Sequence, residues 1–432
     1  MTDTRDFTVA IIGGGIGGLS LAQGLTKNGI KVDVHERDRT PTDRLQGYRV
    51  HINPHGARAL RACLPDELWQ AFLATTGDHG AQSFTMRTEQ LETLLSIRLP
   101  QQADPVRAHH SVSRITLRQV LLAGLDDTVH FGRTFTGYRQ LPDGRIECRF
   151  TDGSTAVADV LVGADGGNSP VRHQYLPHAQ RVDTGIRTIA GKYLLTPEHR
   201  RAVDGRLFAG ATNVIPPADA GMFLAPHIYA EQHVPRADGF GATHDPGALF
   251  DNTASYLMWA YGRRTERFPP GLDSLDGSEL RAVVAELVRG WHPDLRTVVE
   301  RSDPDTVSLL PIRTSVPIRP WTPSRVTLLG DAIHAMTPMR GIGANTALRD
   351  ADTLCRALTD AHRGTLPLLQ AIGDYEHRMR GYGFAAVRAS RRTADQFAGG
   401  SRVGRSVFKG ALRTIDALPA LRDRVFARVG EK

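Results

Sequence analysis

The start of the chain reads as a strand, a glycine-rich turn and a helix. Residues 8–12 are apolar, residues 13–18 follow the pattern G-x-G-x-x-G, and residues 19–25 place apolar side chains at helical spacing. A second apolar run, residues 31–35, ends at the acidic residue Glu36. In this context the glycines let the backbone approach a pyrophosphate, and the carboxylate can accept hydrogen bonds from a ribose. The pattern predicts a dinucleotide-binding unit, although a turn in which glycine serves only packing would have the same pattern.

The composition indicates a globular protein. A chain of 432 residues that is 41% hydrophobic can form one large domain pair or two to three ordinary domains. We expect neither secretion nor membrane insertion, because the first residues do not resemble a leader and no apolar run is long enough to span a bilayer. Cys63, Cys148 and Cys355 are too few and too far apart for a disulfide framework, which fits a cytoplasmic protein.

The positive charge lies mostly at the end of the chain. The net charge is +7, and residues 378–432 hold thirteen Lys or Arg against four Asp or Glu. This segment could attract an anionic partner, but it has no dense lysine run and no nucleic-acid motif. We therefore interpret it as the solvated faces of packed helices and expect no nucleic-acid partner. The 17 histidines show no close spacing with cysteine or acidic residues, so we expect no metal site.

Two further apolar runs end beside an acidic residue and a glycine. Residues 159–163 lead to Asp165, which precedes a glycine pair, and residues 325–329 lead to Asp331, which follows a glycine. Buried parallel strands deliver polar side chains to a ligand crevice at their carboxyl ends. Both carboxylates are therefore candidates for ligand binding.

A glycine-rich turn follows Asp331. Gly341, Gly343 and Asn345 open a helical pattern over residues 347–358, a few residues after Pro338. The first amides of a helix have no partner within the helix, and the helix dipole is positive at that end. The sequence thus predicts an anionic group at the amino end of this helix.

The middle of the chain changes to a two-residue period. From Arg181 to Arg267, alternating apolar and aromatic segments are separated by proline and glycine loops, which is typical of an antiparallel sheet. The earlier runs Gln82 to Thr88 and Glu92 to Leu99 predict strands that lie away from the first domain. A second, sheet-based domain is therefore expected between parts of an α/β domain, with amphipathic helices at the end.

Together, the three motifs resemble those of the single-component, flavin-dependent aromatic hydroxylases with the p-hydroxybenzoate hydroxylase fold. The resemblance covers roughly residues 8–355. It implies an α/β protein with a Rossmann-like FAD-binding domain, an inserted antiparallel-sheet substrate domain and C-terminal helices. The expected ranges are 1–80, 101–180 and 296–390 for the FAD-binding domain, 81–100 and 181–295 for the substrate domain, and 391–432 for the C-terminal helices.

The resemblance also implies which residues bind FAD. Glu36 is similar in position to the family's ribose acceptor, Asp331 to the acid that binds the ribityl chain, and Arg114 to an arginine that contacts FAD. The full set that we expect to bind FAD is Gly13, Gly15, Ile16, Gly17, Gly18, Glu36, Arg37, Arg114, Asp165, Asp331, Pro338, Gly341, Gly343, Ala344 and Asn345.

The family's chemistry is carried by the flavin. Members consume NAD(P)H and O2 and oxygenate an aromatic small molecule through a flavin C4a-hydroperoxide. No second G-x-G-x-x-G unit is present, so NADPH or NADH is expected to dock transiently near the same pocket. Arg44 and Arg49 would hold its phosphates, unless they are ordinary surface residues. His227 and Tyr261 are candidates for a catalytic base, with a structural role as the alternative.

The substrate is not encoded in these motifs. The leading hypothesis is oxygenation, chiefly hydroxylation, of a bulky aromatic or polyketide-type molecule in bacterial specialised metabolism, by a monomer or homodimer. The bacterial source in this hypothesis is inferred from a strong bias for arginine over lysine, since only five of the 53 basic residues are Lys. The alternatives are an antibiotic-inactivating monooxygenase and a redox-silent cyclase or isomerase in which FAD forms a wall of the pocket. A binding protein on a retired enzyme scaffold is disfavoured because all three motifs are intact.

Overall fold

The computed structural model describes residues 7–41, 49–76, 83–98, 102–217, 219–228, 254–399, 402–418 and 420. Its strands are β1 (Thr8–Ile12), β2 (Lys31–His35), β3 (Arg49–Ile52), β4 (Ser83–Thr88), β5 (Thr93–Arg98), β6 (His110–Ser113), β7 (Val129–His130), β8 (Phe135–Gln140), β9 (Ile146–Phe150), β10 (Thr155–Ala158), β11 (Val160–Gly163), β12 (Arg181–Leu194), β13 (Ala211–Ile215), β14 (Ala220–His227), β15 (Tyr256–Arg264), β16 (Ser308–Ser315) and β17 (Val326–Leu328).

The α-helices of the same ranges alternate with these strands and dominate the last third of the chain. They are α1 (Ile16–Lys27), α2 (Pro54–Cys63), α3 (Asp66–Ala74), α4 (Arg114–Leu122), α5 (Pro170–Tyr175), α6 (Pro197–Ala202), α7 (Gly277–Leu287), α8 (Pro293–Glu300), α9 (Asp331–His334), α10 (Gly343–His362), α11 (Leu368–Ala398) and α12 (Arg402–Ala417). None of the helices in these ranges is long and apolar enough to cross a membrane.

A five-stranded parallel sheet forms the centre of the first domain. Its strand order is β17-β11-β1-β2-β7, and every neighbouring pair is parallel. The central strands are buried along nearly their whole length, including residues 9–12 and 160–162. Parallel strands are covered on both faces by crossover helices, so they need apolar side chains at successive positions. The predicted strands at residues 8–12 and 31–35, and the helix after the glycine turn, are confirmed.

The second sheet has seven strands in the order β16-β12-β15-β14-β13-β4-β5. Its neighbours are antiparallel except β13 and β4, which run parallel. The sheet is therefore antiparallel, as predicted, except at this one pairing. The hairpin of β4 and β5 comes from an earlier part of the chain, so no tight turn from β13 fixes its direction. The strand β16 also joins this sheet, although its residues fall in the range 296–390 that we expected in the FAD-binding domain.

The long helix α11 packs against both sheets. Its first half contributes buried residues, including Tyr375 and Met379, to the core of the first domain. Near its end, the ring of Phe397 lies against the second sheet at Gly221 and Gly262. A side chain at Gly221 would overlap this ring, and one at Gly262 would come within 3.0 Å of it. The two glycines thus provide the space that lets one helix hold both domains.

A buried carboxyl lies between α11 and the first sheet. Thr327 of β17 donates a hydrogen bond to Glu376 Oε1 (2.9 Å), and the Glu376 side chain is fully buried. Burial raises the pKa of Glu376 from 4.5 to about 7. The folded state therefore binds this proton more tightly than the unfolded state does, and the stability that depends on it is lost as pH rises from about 4.5 through 7.

We expect the Glu376→Gln variant to be more stable than the wild type at pH 8.5, by up to about 3 kcal/mol in the free energy of unfolding. The two proteins should be nearly equal at about pH 4, below the pKa of the unfolded carboxyl, because Gln keeps the shape of the protonated acid and carries no charge at any pH. Urea denaturation across this pH range measures the difference, with Glu300→Gln at an exposed site as the control. A difference that does not grow with pH would show that Glu376 does not titrate in this range.

Candidate active site

The first glycine turn is shaped by close contacts with its neighbours. Gly13 has φ +113°, and a side chain there would overlap the carbonyl oxygen of Ala164. A side chain at Gly18 would overlap the carbonyl oxygen of Gly13. By contrast, a Cβ at Gly15 would have no atom of the described residues within 4 Å. The turn is therefore closely packed on its protein side and open at Gly15, as a cradle for a pyrophosphate requires.

The amino end of α1 is open as well. Gly15 is its N-cap, and no side chain in the described ranges caps the first amides of the helix, which begin at Ile16. Gly17 faces inward, because a side chain there would lie 2.7 Å from Leu329 at the end of β17. The first and third motifs predicted from the sequence are thus in direct contact in the structure.

Glu36 is held by backbone amides. Its Oε2 accepts from the amide of Gly14 (2.6 Å) and its Oε1 accepts from the amide of Asp38 (2.9 Å), and the side chain is buried. A carboxylate oxygen has two acceptor sites, so both oxygens can still accept from ribose hydroxyls. Arg37 beside it is exposed.

Arg118 contacts the first glycine turn, and the sequence patterns did not predict this contact. It donates from Nε to the carbonyl oxygen of Gly14 (3.0 Å) and from Nη1 to that of Pro41 (2.7 Å), and it pairs with Asp38 (3.6 Å). The predicted Arg114 lies one turn earlier on the same helix and is exposed. The spacing of four residues puts both arginines on one face of α4, which is the signal that could have identified the second.

Asp165 and Asp331 follow adjacent strands. They come after β11 and β17, which are neighbours in the parallel sheet. Asp165 Oδ2 accepts from the amide of Val171 (3.2 Å), whereas its buried Oδ1 has no hydrogen-bond partner in the described part of the chain. Burial raises the pKa of Asp165. Asp331 is exposed, after Gly330 at φ +61°. A buried acceptor without a donor beside an exposed carboxylate fits a polar ligand such as the ribityl chain of FAD.

The turn before α10 is open on one side. Gly341 has φ +60°, and a side chain at this position would meet no described atom within 4 Å, while Pro338 is exposed. Among the described residues, no side chain caps the amides of α10, which begins at Gly343 and Ala344. These amides and the helix dipole can stabilise negative charge on a bound ring system.

Asn345 has a different role from its neighbours. Its Oδ1 accepts from the amide of Asn53 (2.8 Å), and its Nδ2 donates to the carbonyl oxygen of His51 (2.7 Å). Its side chain is buried in these contacts, so only its backbone amide remains for the cofactor. Asn345 thereby joins the amino end of α10 to the ribbon of β3 and β6.

The buried carboxylate of Asp350 holds the third motif, Gly330-Asp331, in place through hydrogen bonds. Its Oδ2 accepts from the amide of Gly330 (2.7 Å) and from His334 Nε2 (2.6 Å), and its Oδ1 accepts from the hydroxyl of Tyr382 (2.6 Å). Asp350 and His334 are fully buried. Burial alone would lower the pKa of His334, but the charge of Asp350 and its hydrogen bond raise it. This network fixes the backbone just before Asp331.

A polar ribbon, formed by β3 and β6, lies beside α10. On β3 and β6, the Nε of Arg49 donates to Ser111 Oγ (2.6 Å), and His51 Nε2 lies 3.0 Å from His109 Nδ1. Burial, then the charge of Arg49, lowers the pKa of His51 to about 3. Burial also lowers the pKa of Arg49 to about 10. The histidine pair was not predicted, because nothing in the spacing of two residues so far apart indicates a contact.

The predicted base candidates lie on the second sheet. His227 is fully buried next to Tyr256, with ring centroids 5.3 Å apart, and burial followed by the charge of Arg49 lowers its pKa to about 3. The Tyr261 ring is buried against Phe268 (6.1 Å) and Trp291 (5.9 Å) in the core of the second domain. This packing fits the structural alternative for Tyr261, and a catalytic role for His227 or Tyr261 stays a prediction. Arg44 lies outside the described residues.

The chain therefore carries three loops at the carboxyl ends of adjacent parallel strands, with an open glycine cradle, a buried carboxylate that can still accept hydrogen bonds and an uncapped helix end. Such a site defines an FAD-binding protein. The family model described as FAD binding domain matches residues 6–189 and 271–390. The chain belongs to this family. Proteins related to it in sequence are named FAD-dependent monooxygenases. Its cofactor is FAD.

Sequence similarity to individual relatives extends over most of this chain. The dual O-methyltransferase/FAD-dependent monooxygenase elcB of Phaeosphaeria nodorum is 33% identical over 80% of this chain and 39% of its own length. The aurachin C monooxygenase/isomerase of Stigmatella aurantiaca is 27% identical over 82% of this chain and 80% of its own length. This chain spans only about two fifths of the length of the dual-function relatives (39% and 44%).

A solved structure gives the same fold. It is a protein of Photorhabdus luminescens subsp. laumondii whose assignment as an FAD-containing monooxygenase is itself provisional. It is 36% identical, with a TM-score of 0.80, and the match covers 91% of this chain and 98% of that one. The predicted α/β fold class and the family resemblance are confirmed.

Proposed function

We propose that this protein is an FAD-dependent monooxygenase that uses NAD(P)H and O2 to hydroxylate a bulky aromatic small molecule. The observation that carries this proposal is the bridge made by Asn345, which joins the uncapped end of α10 to the carbonyl of His51. It supports a substrate position between the loops that follow β1, β11 and β17 and the ribbon of β3 and β6. When bound and reduced, FAD supplies the activation of O2, and the protein supplies orientation, polar contacts and exclusion of water.

The ribbon is suited to orient a hydroxyl group rather than to ionise it. Because the pKa of His51 is lowered to about 3, the imidazole pair is neutral at pH 7. Transfer of a proton from a phenol with a pKa of about 10 to such a histidine would be strongly uphill. His227, whose pKa is also about 3, is equally weak as a base. The substrate is therefore proposed to present a hydrogen-bonding hydroxyl on a ring that is already electron-rich.

The relatives support a phenolic product. In elcB, a monooxygenase and an O-methyltransferase share one chain, and an O-methyltransferase needs a hydroxyl group to modify. We extend this to a polyketide-type aromatic substrate in specialised metabolism. A second candidate is an isomerase reaction on the same flavin site, which the name of the Stigmatella aurantiaca relative favours.

Flavin reduction tests both candidates. The FAD-loaded protein is mixed without oxygen with NADPH or NADH and a panel of hydroxylated aromatics, and the loss of flavin absorbance is followed. We expect at least one aromatic to accelerate bleaching about tenfold or more, and aerobic turnover with labelled O2 to place one labelled oxygen in the product. Conversion of a substrate without bleaching and without label would contradict the monooxygenase proposal and favour the isomerase.

A further inference from the structure

A polar groove lies between α10 and α11, and its lining includes none of the residues that are predicted to bind FAD. Its volume is about 470 Å³, within the usual range for small-molecule sites. One face of each helix contributes to it, and its lining includes Arg349 and Arg356 of α10 and Arg378 of α11. Three arginines thus line one cavity.

The groove has more positive than negative charge. Its lining contains one carboxylate among the described residues, Asp352, whose oxygens accept from Nε (2.8 Å) and Nη2 (3.0 Å) of Arg356. Arg349 and Arg378 form no ion pair with any carboxylate in the ranges that the structure describes. Guanidinium groups bind phosphate through paired, charge-assisted hydrogen bonds, and two uncompensated groups match its charge.

The side chain of Arg349 is held in place by a neighbouring aromatic ring. The guanidinium carbon of Arg349 lies 3.9 Å from the ring centroid of Tyr382. That ring is fixed in turn, because its hydroxyl donates to the buried carboxylate of Asp350 (2.6 Å). An arginine held over an aromatic ring loses less conformational freedom on binding a ligand than a free one does.

The floor of the groove has room for a ligand. Gly381 lies in the middle of α11, and a side chain built there would have no atom of the described chain within 4 Å. Glycine inside a helix costs about 1 kcal/mol relative to alanine. An open glycine at this point leaves space where any other residue would project into the groove.

We propose that this groove binds a phosphorylated small molecule, whose phosphate is held by Arg349 and Arg378. This site is separate from the FAD site and does not rest on the proposed monooxygenase function.

Calorimetry on the full-length, FAD-loaded protein tests the proposal, because FAD then fills its own pyrophosphate site. The probes are ribose 5-phosphate and inorganic pyrophosphate at one fixed ionic strength, with ribose as the uncharged control. We expect a phosphate probe to bind and ribose not to bind. Tighter binding of ribose 5-phosphate indicates an organic phosphate, and tighter binding of pyrophosphate indicates a bare polyphosphate; binding of neither overturns the proposal.

Three variants locate the bound phosphate. We expect the double variant Arg349→Gln/Arg378→Gln to weaken binding about tenfold or more. Gly381→Leu keeps every charge but fills the groove, and it should weaken binding to a similar degree while leaving the helix at least as stable. Arg388→Gln/Arg392→Gln removes the same two charges from exposed positions about 15 and 21 Å along α11 from Arg378, and it should bind as the wild type does. Unchanged binding by Gly381→Leu, or an equal loss in Arg388→Gln/Arg392→Gln, would assign the affinity to diffuse surface charge and overturn the site.

Discussion

The Asp350→Ala variant is expected to lose about 3–5 kcal/mol in the free energy of unfolding, because it removes the carboxylate at the centre of a buried network. Three donors would be left without their acceptor, namely the amide of Gly330, the imidazole of His334 and the hydroxyl of Tyr382. Urea denaturation measures the loss. FAD retention should fall as well, since the backbone before Asp331 is no longer fixed.

The matched control lies two residues further along the same helix. Asp352 pairs with Arg356, whose side chain is largely exposed, so Asp352→Ala should cost about 1 kcal/mol or less. A similar loss in both variants would indicate that helix α10 is merely sensitive to any substitution. The network assignment would then fail.

The Gly15→Ala variant is expected to lose FAD while keeping its fold. The new Cβ meets no atom of the described residues within 4 Å, and the backbone at this position (φ −85°) suits alanine. Stability of the protein without FAD should therefore change by about 1 kcal/mol or less. The same Cβ would stand where a pyrophosphate approaches the helix, so we expect the Kd for FAD to rise about a hundredfold, or about 3 kcal/mol.

Fluorescence titration of the FAD-free protein measures this affinity. Gly410→Ala is the control, because it adds a methyl group to another open glycine, on α12 and outside the cradle. Wild-type affinity in Gly15→Ala would mean that the pyrophosphate does not pass this turn, and the assignment of the first motif would need to be abandoned.

The parts of the site that follow from local sequence could be predicted. The glycine pattern, the acids after β11 and β17 and the open end of α10 each lie within one strand–turn–helix unit, where spacing determines geometry. Their adjacency also follows, since parallel strands present their carboxyl ends at one edge. Gly17 against Leu329 shows how closely the first and third units meet.

Contacts between distant segments could not be predicted in this way. His51 meets His109 only because β3 pairs with β6 in one particular register, and that register depends on packing of the whole domain. Arg118 rather than Arg114 contacts the glycine turn because of the rotation of α4, which depends on its buried face. The parallel pairing of β4 with β13 is likewise a property of the assembled sheet.

The helix α11 sets a fixed distance between the two halves of the molecule. Gly383 lies against the ring of His334, and Phe397 lies in the space left by Gly221 and Gly262 on the other sheet. The fourteen residue steps from 383 to 397 correspond to about 21 Å along a helix. Inserting one residue between them would rotate Phe397 by about 100° and lengthen the spacing by about 1.5 Å. Gain or loss of one residue in this stretch of the helix is therefore expected to displace one of its two contacts and to weaken the packing between the two sheets.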